Sequence, residues 1–127
     1  MEFIEGFLQL KSGGFGFVGA EGGDIFISAD NINGAFDGEE VVAGILPDKK
    51  RGGNREGVIK QILTRLPREV VGTVDKSKSA MFVVCDDHIT EDIYIPKEKN
   101  GGAHNLDKVV VTIYKRAEKN RSPEGEI

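Results

Sequence analysis

The chain repeats itself with a period of 68 residues. DIFISADNINGAFDGEEVVAGI from Asp24 and DIYIPKEKNGGAHNLDKVVVTI from Asp92 align without a gap for 22 residues. Asp24/Asp92, Ile25/Ile93, Ile27/Ile95, Gly34/Gly102, Ala35/Ala103, Val41/Val109, Val42/Val110 and Ile45/Ile113 are identical pairs, and the same offset matches Glu56, Gly57 and Ile59 to Glu124, Gly125 and Ile127. With one slipped residue, GFLQLKSGGFGFV from Gly6 resembles GTVDKSKSAMFVV from Gly72. Two copies of one module of about sixty residues therefore fill the chain, with a boundary near Leu66–Pro67 that gives domains 1–66 and 67–127. The first copy continues past Ile59 as KQIL whereas the second stops at Ile127. The chain is therefore expected to end inside its last strand and to be a piece of a longer protein.

Each module reads as short strands divided by turns. In the first copy these are FLQLK, FGFV, DIFI, EEVVAGIL and EGVIKQIL, with turn signals at Ser12–Gly14, Glu21–Gly23, Asn33–Gly34, Asp37–Gly38 and Gly52–Asn54. Five short strands without a long helical period predict a small antiparallel barrel, so the chain is all-β. No apolar run approaches the ~18 residues of a membrane span, and the first residues lack the regions of a signal peptide. The lone Cys85 forms no internal disulfide. A cytoplasmic location and no membrane partner are expected.

The net charge of −4 conceals a gradient. Residues 1–46 carry one basic and eight acidic side chains, residues 47–127 sixteen and thirteen, and residues 49–78 nine and three, a local +6. Such a strip binds polyanions, although charge alone reads it as a solvated linker.

Strand alternation then sorts the aromatics. In Asp24–Ser28 the isoleucines Ile25 and Ile27 claim the core, which puts Phe26 outward among polar neighbours. Ile93 and Ile95 do the same and turn Tyr94 outward. Leu8 and Leu10 point inside the first strand. Phe15 and Phe17 share a face, and that strand taken alone turns them inward, as core aromatics. Beside Lys11, a glycine-loosened turn and an outward Phe26, however, they make a platform on which bases stack while cations track phosphates.

SGGFGFV followed by DIFI resembles the paired ribonucleoprotein motifs of cold-shock domains. The tandem order of EGFLQLKSGGFGFV, EGGDIFISADNINGAFDGEEVVAGI, VGTVDKSKSAMFVV, EDIYIPKEKNGGAHNLDKVVVTI and SPEGEI is similar to the N-terminal region of the ribonuclease R and ribonuclease II family. The resemblance implies two tandem five-stranded OB-type barrels, the second truncated in its last strand. It implies single-stranded RNA (or single-stranded DNA) as partner, guided towards a 3′→5′ exoribonuclease domain that uses magnesium and lies outside this chain. The chain itself is then expected to be non-catalytic, to need no cofactor, and to pack on that missing domain. Carried over, the RNA-binding positions are Lys11, Phe15, Phe17 and Phe26 in the first copy and Phe82 and Tyr94 in the second. Ala80 and Met81 replace the first aromatic and the glycine there, so Lys76, Lys78, Lys97 and Lys99 take on more of the phosphate contact. A stand-alone cold-shock-type nucleic-acid chaperone and a tandem small-barrel interaction module with core aromatics are the alternatives.

Other patterns carry less. GFGFVG satisfies a dinucleotide fingerprint, but a turn and a strand follow it where a helix is required. Asp86, Asp87, His88, Glu91 and Asp92 read as a polar hairpin loop, with no metal assigned. His104, at the place of Phe36, is expected at the surface, and Cys85 as a half-buried small hydrophobe.

Overall fold

Aliphatic residues at alternate positions define the strands. The computed structural model describes residues 1–127 and contains ten of them: β1 Phe3–Leu10, β2 Gly16–Val18, β3 Ile25–Ile27, β4 Glu40–Arg51, β5 Asn54–Ile62, β6 Arg68–Lys76, β7 Met81–Cys85, β8 Ile93–Tyr94, β9 Lys108–Lys115 and β10 Glu124–Glu126. Helix is limited to two single 3-10 turns, Ala29–Asn31 and Lys97–Lys99, themselves 68 residues apart. The chain divides into two compact units, Met1–Thr64 and Arg65–Ile127, two residues ahead of the boundary expected from the repeat.

Each unit is a closed five-stranded barrel, ordered β1-β2-β3-β5-β4 in the first and β10-β8-β7-β6-β9 in the second. An odd number of strands cannot close with every neighbour antiparallel, so the purely antiparallel expectation needs a correction. One parallel pairing seals each barrel. Phe26 on β3 lies opposite Glu56 on β5, and Tyr94 on β8 lies opposite Glu124 on β10. Although only three residues long, β10 pairs with both β9 and β8.

The first core holds Leu8, Val18, Ile25, Ile27, Val41, Ala43 and Ile59. Val74, Met81, Val83, Ile93, Ile95, Val111 and Ile113 are the buried counterparts in the second barrel. Full burial of such aliphatic side chains stabilises by about 1.5–3 kcal/mol each. In β2 the inward positions belong to Gly16 and Val18, which leaves Phe17 outside. Gly16 explains why. A side chain there would start 2.8 Å from the Gln9 carbonyl and 3.1 Å from Leu8 Cδ1, so β1 and β2 approach too closely for the inner face to take a ring.

In the loop before β4 one carboxylate holds β1 and a second closes the loop on itself. Asp37 Oδ1 accepts the Leu10 N–H at 2.9 Å, and buried Glu39 accepts the Phe36 N–H at 2.7 Å. The second barrel repeats both bonds with different residues. Asn105 accepts from the Lys76 N–H at 2.8 Å and Asp107 from the His104 N–H at 2.8 Å. The His104 side chain is 86% exposed, whereas Phe36 is buried.

The cationic stretch from residue 49 is not a linker. After Ile45 the β4/β5 register slips through Pro47 and Asp48, then resumes with Lys50 opposite Arg55 and Arg51 opposite Asn54. Gly52 and Gly53, with φ of 59° and 86°, supply the left-handed pair that a tight hairpin turn requires. The result is an exposed basic hairpin on the first barrel, continuous with its wall.

Candidate nucleic-acid interface

Alternation on β2 and β3 brings three rings together on the outside of the first barrel. Phe17 and Phe26 are cross-strand partners, with centroids 5.6 Å apart and planes at 72°. Phe15 lies 6.1 Å from Phe17 and 5.8 Å from Phe26. These separations are those of favourable edge and tilted aromatic pairs. None of the three rings belongs to the core cluster beneath them. Phe15 and Phe17 are half-buried, with part of each ring open to solvent.

Phe26 departs from expectation. It occupies the outer face, but only 9% of it is exposed. Phe15 and Phe17 pack against it, and the Arg51 guanidinium sits 5.2 Å from its ring centroid. The neighbours expected from the sequence, Asp24 and Ser28, are therefore not what covers it. Part of the cover comes from 25 residues further along, brought back by the β4–β5 hairpin. Arg51 makes no ion pair.

Lys11 stands at the base of the platform. Its N–H donates to the Phe15 carbonyl at 2.9 Å and its carbonyl accepts the Gly14 N–H at 3.1 Å, which closes the β1–β2 turn. Around the rings the charge is mixed. The whole first unit has six basic and ten acidic residues, so the cations of the hairpin (Lys49, Lys50, Arg51 and Arg55) form a local exception on an acidic body. Of these, Arg55 reaches Glu2 at 3.5 Å, an exposed contact of small worth.

The second barrel assembles less. Phe82 and Tyr94 meet at 5.7 Å, the counterpart of the Phe17–Phe26 pair. Ala80 stands where the third ring would be, and Met81 is buried in the place of Gly16. Asp75 faces Phe82 across the ladder, where the first barrel has Gln9 opposite Phe17, so a carboxylate borders this pair. Lys76, Lys78 and Lys97 are exposed. Lys99 is drawn elsewhere, with its Nζ 3.8 Å from the Tyr114 centroid. Lys115 approaches Glu124 at 3.8 Å.

In the acidic loop after β7, Asp87 is engaged within the loop itself. Asp87 accepts from the Ile89 N–H at 2.8 Å, the Thr90 N–H at 2.9 Å and the Thr90 hydroxyl at 2.6 Å. Partial burial works against its charge, but these bonds and Arg68 hold the carboxyl below its usual range. Asp86 pairs with Lys108 at 2.8 Å. Burial, reinforced by Asp87, Asp92 and Asp86, pushes the Cys85 thiol up to about 11, so it is not an activated nucleophile.

The sequence reading missed Arg51 as a site residue. The signal was present: Arg-Gly-Gly-Asn between two apolar runs encodes a two-residue hairpin turn that folds the basic strand ends over the barrel.

Comparison with known proteins places this architecture. Residues 6–62 match the ribonuclease B OB domain family and residues 82–127 the cold shock domain family. Ribonuclease R of Vibrio parahaemolyticus is 29% identical over 133 residues, covering 100% of this chain and 16% of that protein. Ribonuclease R of Chlamydia trachomatis is 45% identical over 67 residues, covering 48% of this chain and 10% of the relative. The chain thus spans about a fifth or less of the curated relatives it matches. Among solved structures, Mycoplasma genitalium ribonuclease R in complex with ribose-methylated single-stranded RNA shares the fold, with a TM-score of 0.75 at 19% identity, covering 97% of this chain and 20% of that one. With two OB-type barrels in tandem and matches that together reach from residue 6 to residue 127, the chain belongs to the ribonuclease R family, as its N-terminal cold-shock region.

Proposed function

We propose that the chain binds single-stranded RNA on the outer face of β2 and β3 and guides it towards the catalytic domain of a 3′→5′ exoribonuclease. The observation that carries this reading is the cluster of Phe15, Phe17 and Phe26, three rings within 6.1 Å of one another outside a barrel already filled by aliphatic residues. The rings lie outside the aliphatic core cluster, and the half-buried Phe15 and Phe17 offer flat apolar surface to flat ligands. Base-on-ring stacking contributes about 1–3 kcal/mol per base and tolerates any sequence. The second barrel, with two rings and a neighbouring carboxylate, contributes less stacking, and its exposed lysines Lys76, Lys78 and Lys97 act on phosphates.

In this reading catalysis, with its magnesium, belongs to a domain outside this chain, and the chain incubated with RNA and magnesium releases no mononucleotides. The reading in which the aromatics form the core of an interaction module is disfavoured by the position of the rings.

The test is a fluorescence anisotropy titration with a short single-stranded oligoribonucleotide and with a duplex of the same sequence. Binding of the single strand, weakened by salt and by Phe17→Ala and Phe26→Ala, is the expected result. Indifference to both substitutions, or preference for the duplex, refutes it.

A further inference from the structure

We propose that Arg51 is a displaceable occupant of the stacking surface, which leaves Phe26 when RNA arrives and becomes a ligand of the phosphate beside the incoming base. This deepens the function proposed above and rests on it. Three observations carry the inference. The guanidinium lies over the Phe26 ring, 5.2 Å from its centroid and within the range of a cation–ring contact. Phe26, enclosed by this guanidinium together with the Phe15 and Phe17 rings, is nearly covered, while Phe15 and Phe17 remain partly open. No carboxylate holds Arg51, and its residue lies on the exposed end of β4, beyond the slip at Pro47–Asp48 and next to the Gly52–Gly53 turn.

The exchange is favourable on both sides. An exposed guanidinium–ring contact is weak, and a base stacked on the same ring replaces it with a stronger one. The released guanidinium presents planar donors that suit a phosphate, with which it forms charge-assisted hydrogen bonds. The acidic balance of the first unit makes such a local cation more consequential, because it leaves only Lys11 and the hairpin cations to attract a polyanion beside these rings. Lys49 and Lys50 stand exposed on the same hairpin arm. The nucleotide chain is thereby held from two directions, bases on the rings of β2 and β3 and phosphates under the β4–β5 hairpin.

The experiment uses the complete chain and two oligoadenylates of about eight nucleotides, within the span of an OB-type site. One has ordinary phosphodiesters; the other has uncharged methylphosphonate links. Wild type, Arg51→Ala, Arg51→Lys and Phe17→Ala are compared by anisotropy across a salt series. Arg51→Ala is expected to bind the phosphodiester strand about 3- to 10-fold more weakly, with a log–log salt slope shallower by about 0.7, the share of one single-strand phosphate contact. The same variant should bind the methylphosphonate strand as tightly as wild type or up to a few-fold tighter, since Phe26 is uncovered. Arg51→Lys should retain the slope.

An unchanged slope in Arg51→Ala overturns the proposal, because Arg51 then never meets a phosphate. Equal weakening towards both strands also overturns it, because Arg51 then only holds the platform in shape. Wild type that fails to bind, or binding indifferent to Phe17→Ala, marks instead the failure of the underlying RNA-binding reading. Circular dichroism of each variant confirms an intact barrel.

Discussion

Gly57→Ala probes the point at which the first barrel closes. Gly57 lies on β5, opposite Ile27 of β3 in the parallel pairing and opposite Ile45 of β4 in the antiparallel one. A methyl group added there would sit 2.8 Å from Ile25 Cγ2, 2.9 Å from the Gly44 carbonyl oxygen and 3.3 Å from Ile27 Cδ1. The isoleucine tips can rotate, but the carbonyl belongs to a strand paired on both sides, to Phe3 and to Val58. Overpacking of this kind costs about 1–3 kcal/mol. Against it stands the reduced freedom of the unfolded chain, a gain of about 0.4–1 kcal/mol for glycine to alanine where φ is compatible. The net expectation is a loss of about 1–2 kcal/mol, a lowering of the melting temperature by about 5–15 °C in a domain of this size.

Gly19→Ala is the matched control. Its nearest neighbour would be Asp24 Oδ1 at 3.9 Å, so only the unfolded-state gain remains. Far-UV circular dichroism follows both variants. Both tyrosines, Tyr94 and Tyr114, belong to the second unit, so tyrosine emission assigns whichever transition moves. A Gly57→Ala protein that melts within about a degree of wild type, or no lower than Gly19→Ala, refutes the close-packed closure.

Other outcomes follow from single residues. Because burial and the neighbouring aspartates push the Cys85 thiol from 9.0 up to about 11, the neutral form is favoured on folding. Its stabilisation is complete below pH 9.0 and lost as pH rises through about 11. Native protein should resist thiol reagents at pH 8 and react on denaturation, and Cys85→Ala should flatten the alkaline loss of stability measured by urea titration. Asp37→Ala removes the acceptor of the Leu10 N–H and should cost about 1 kcal/mol in the same titration, as should Asn105→Ala through the Lys76 N–H. Ala80→Phe restores a third ring beside Phe82 and Tyr94 and should tighten binding of a single-stranded oligoribonucleotide, up to about the fivefold that corresponds to 1 kcal/mol of stacking.

Much of this fold is legible in the residues because β3 and β8 and their neighbours turn aliphatic side chains to one face. Ile-x-Ile at 25–27 and at 93–95 fixes strand phase without any tertiary information, and the repeat carries that phase from one barrel to the other. FGFV misleads when read alone, since hydrophobicity favours the rings inside. Gly16 reverses that choice only once the Gln9 carbonyl of β1 is known to lie 2.8 Å from where a Cβ would start.

The loop bonds escaped because the repeat replaces Asp37 with Asn105 and Glu39 with Asp107, which keeps the acceptor but not the residue. The cover over Phe26 escaped for a different reason. Pro47 and Asp48 interrupt the alternation of β4, so the basic residues beyond them look detached from the strand that in fact carries them back over the rings. Contacts made by long-range hairpin geometry leave no local pattern to read.

The central claim is that rings outside the first barrel contact unpaired bases. Photocrosslinking of the chain to a single-stranded oligoribonucleotide with one 5-iodouridine, followed by mass-spectrometric mapping, tests it most directly. Adducts are expected on the peptides that contain Phe15 and Phe17, lost when both are changed to Ala. Adducts confined to lysines of the second barrel, or undiminished in the double variant, would contradict it.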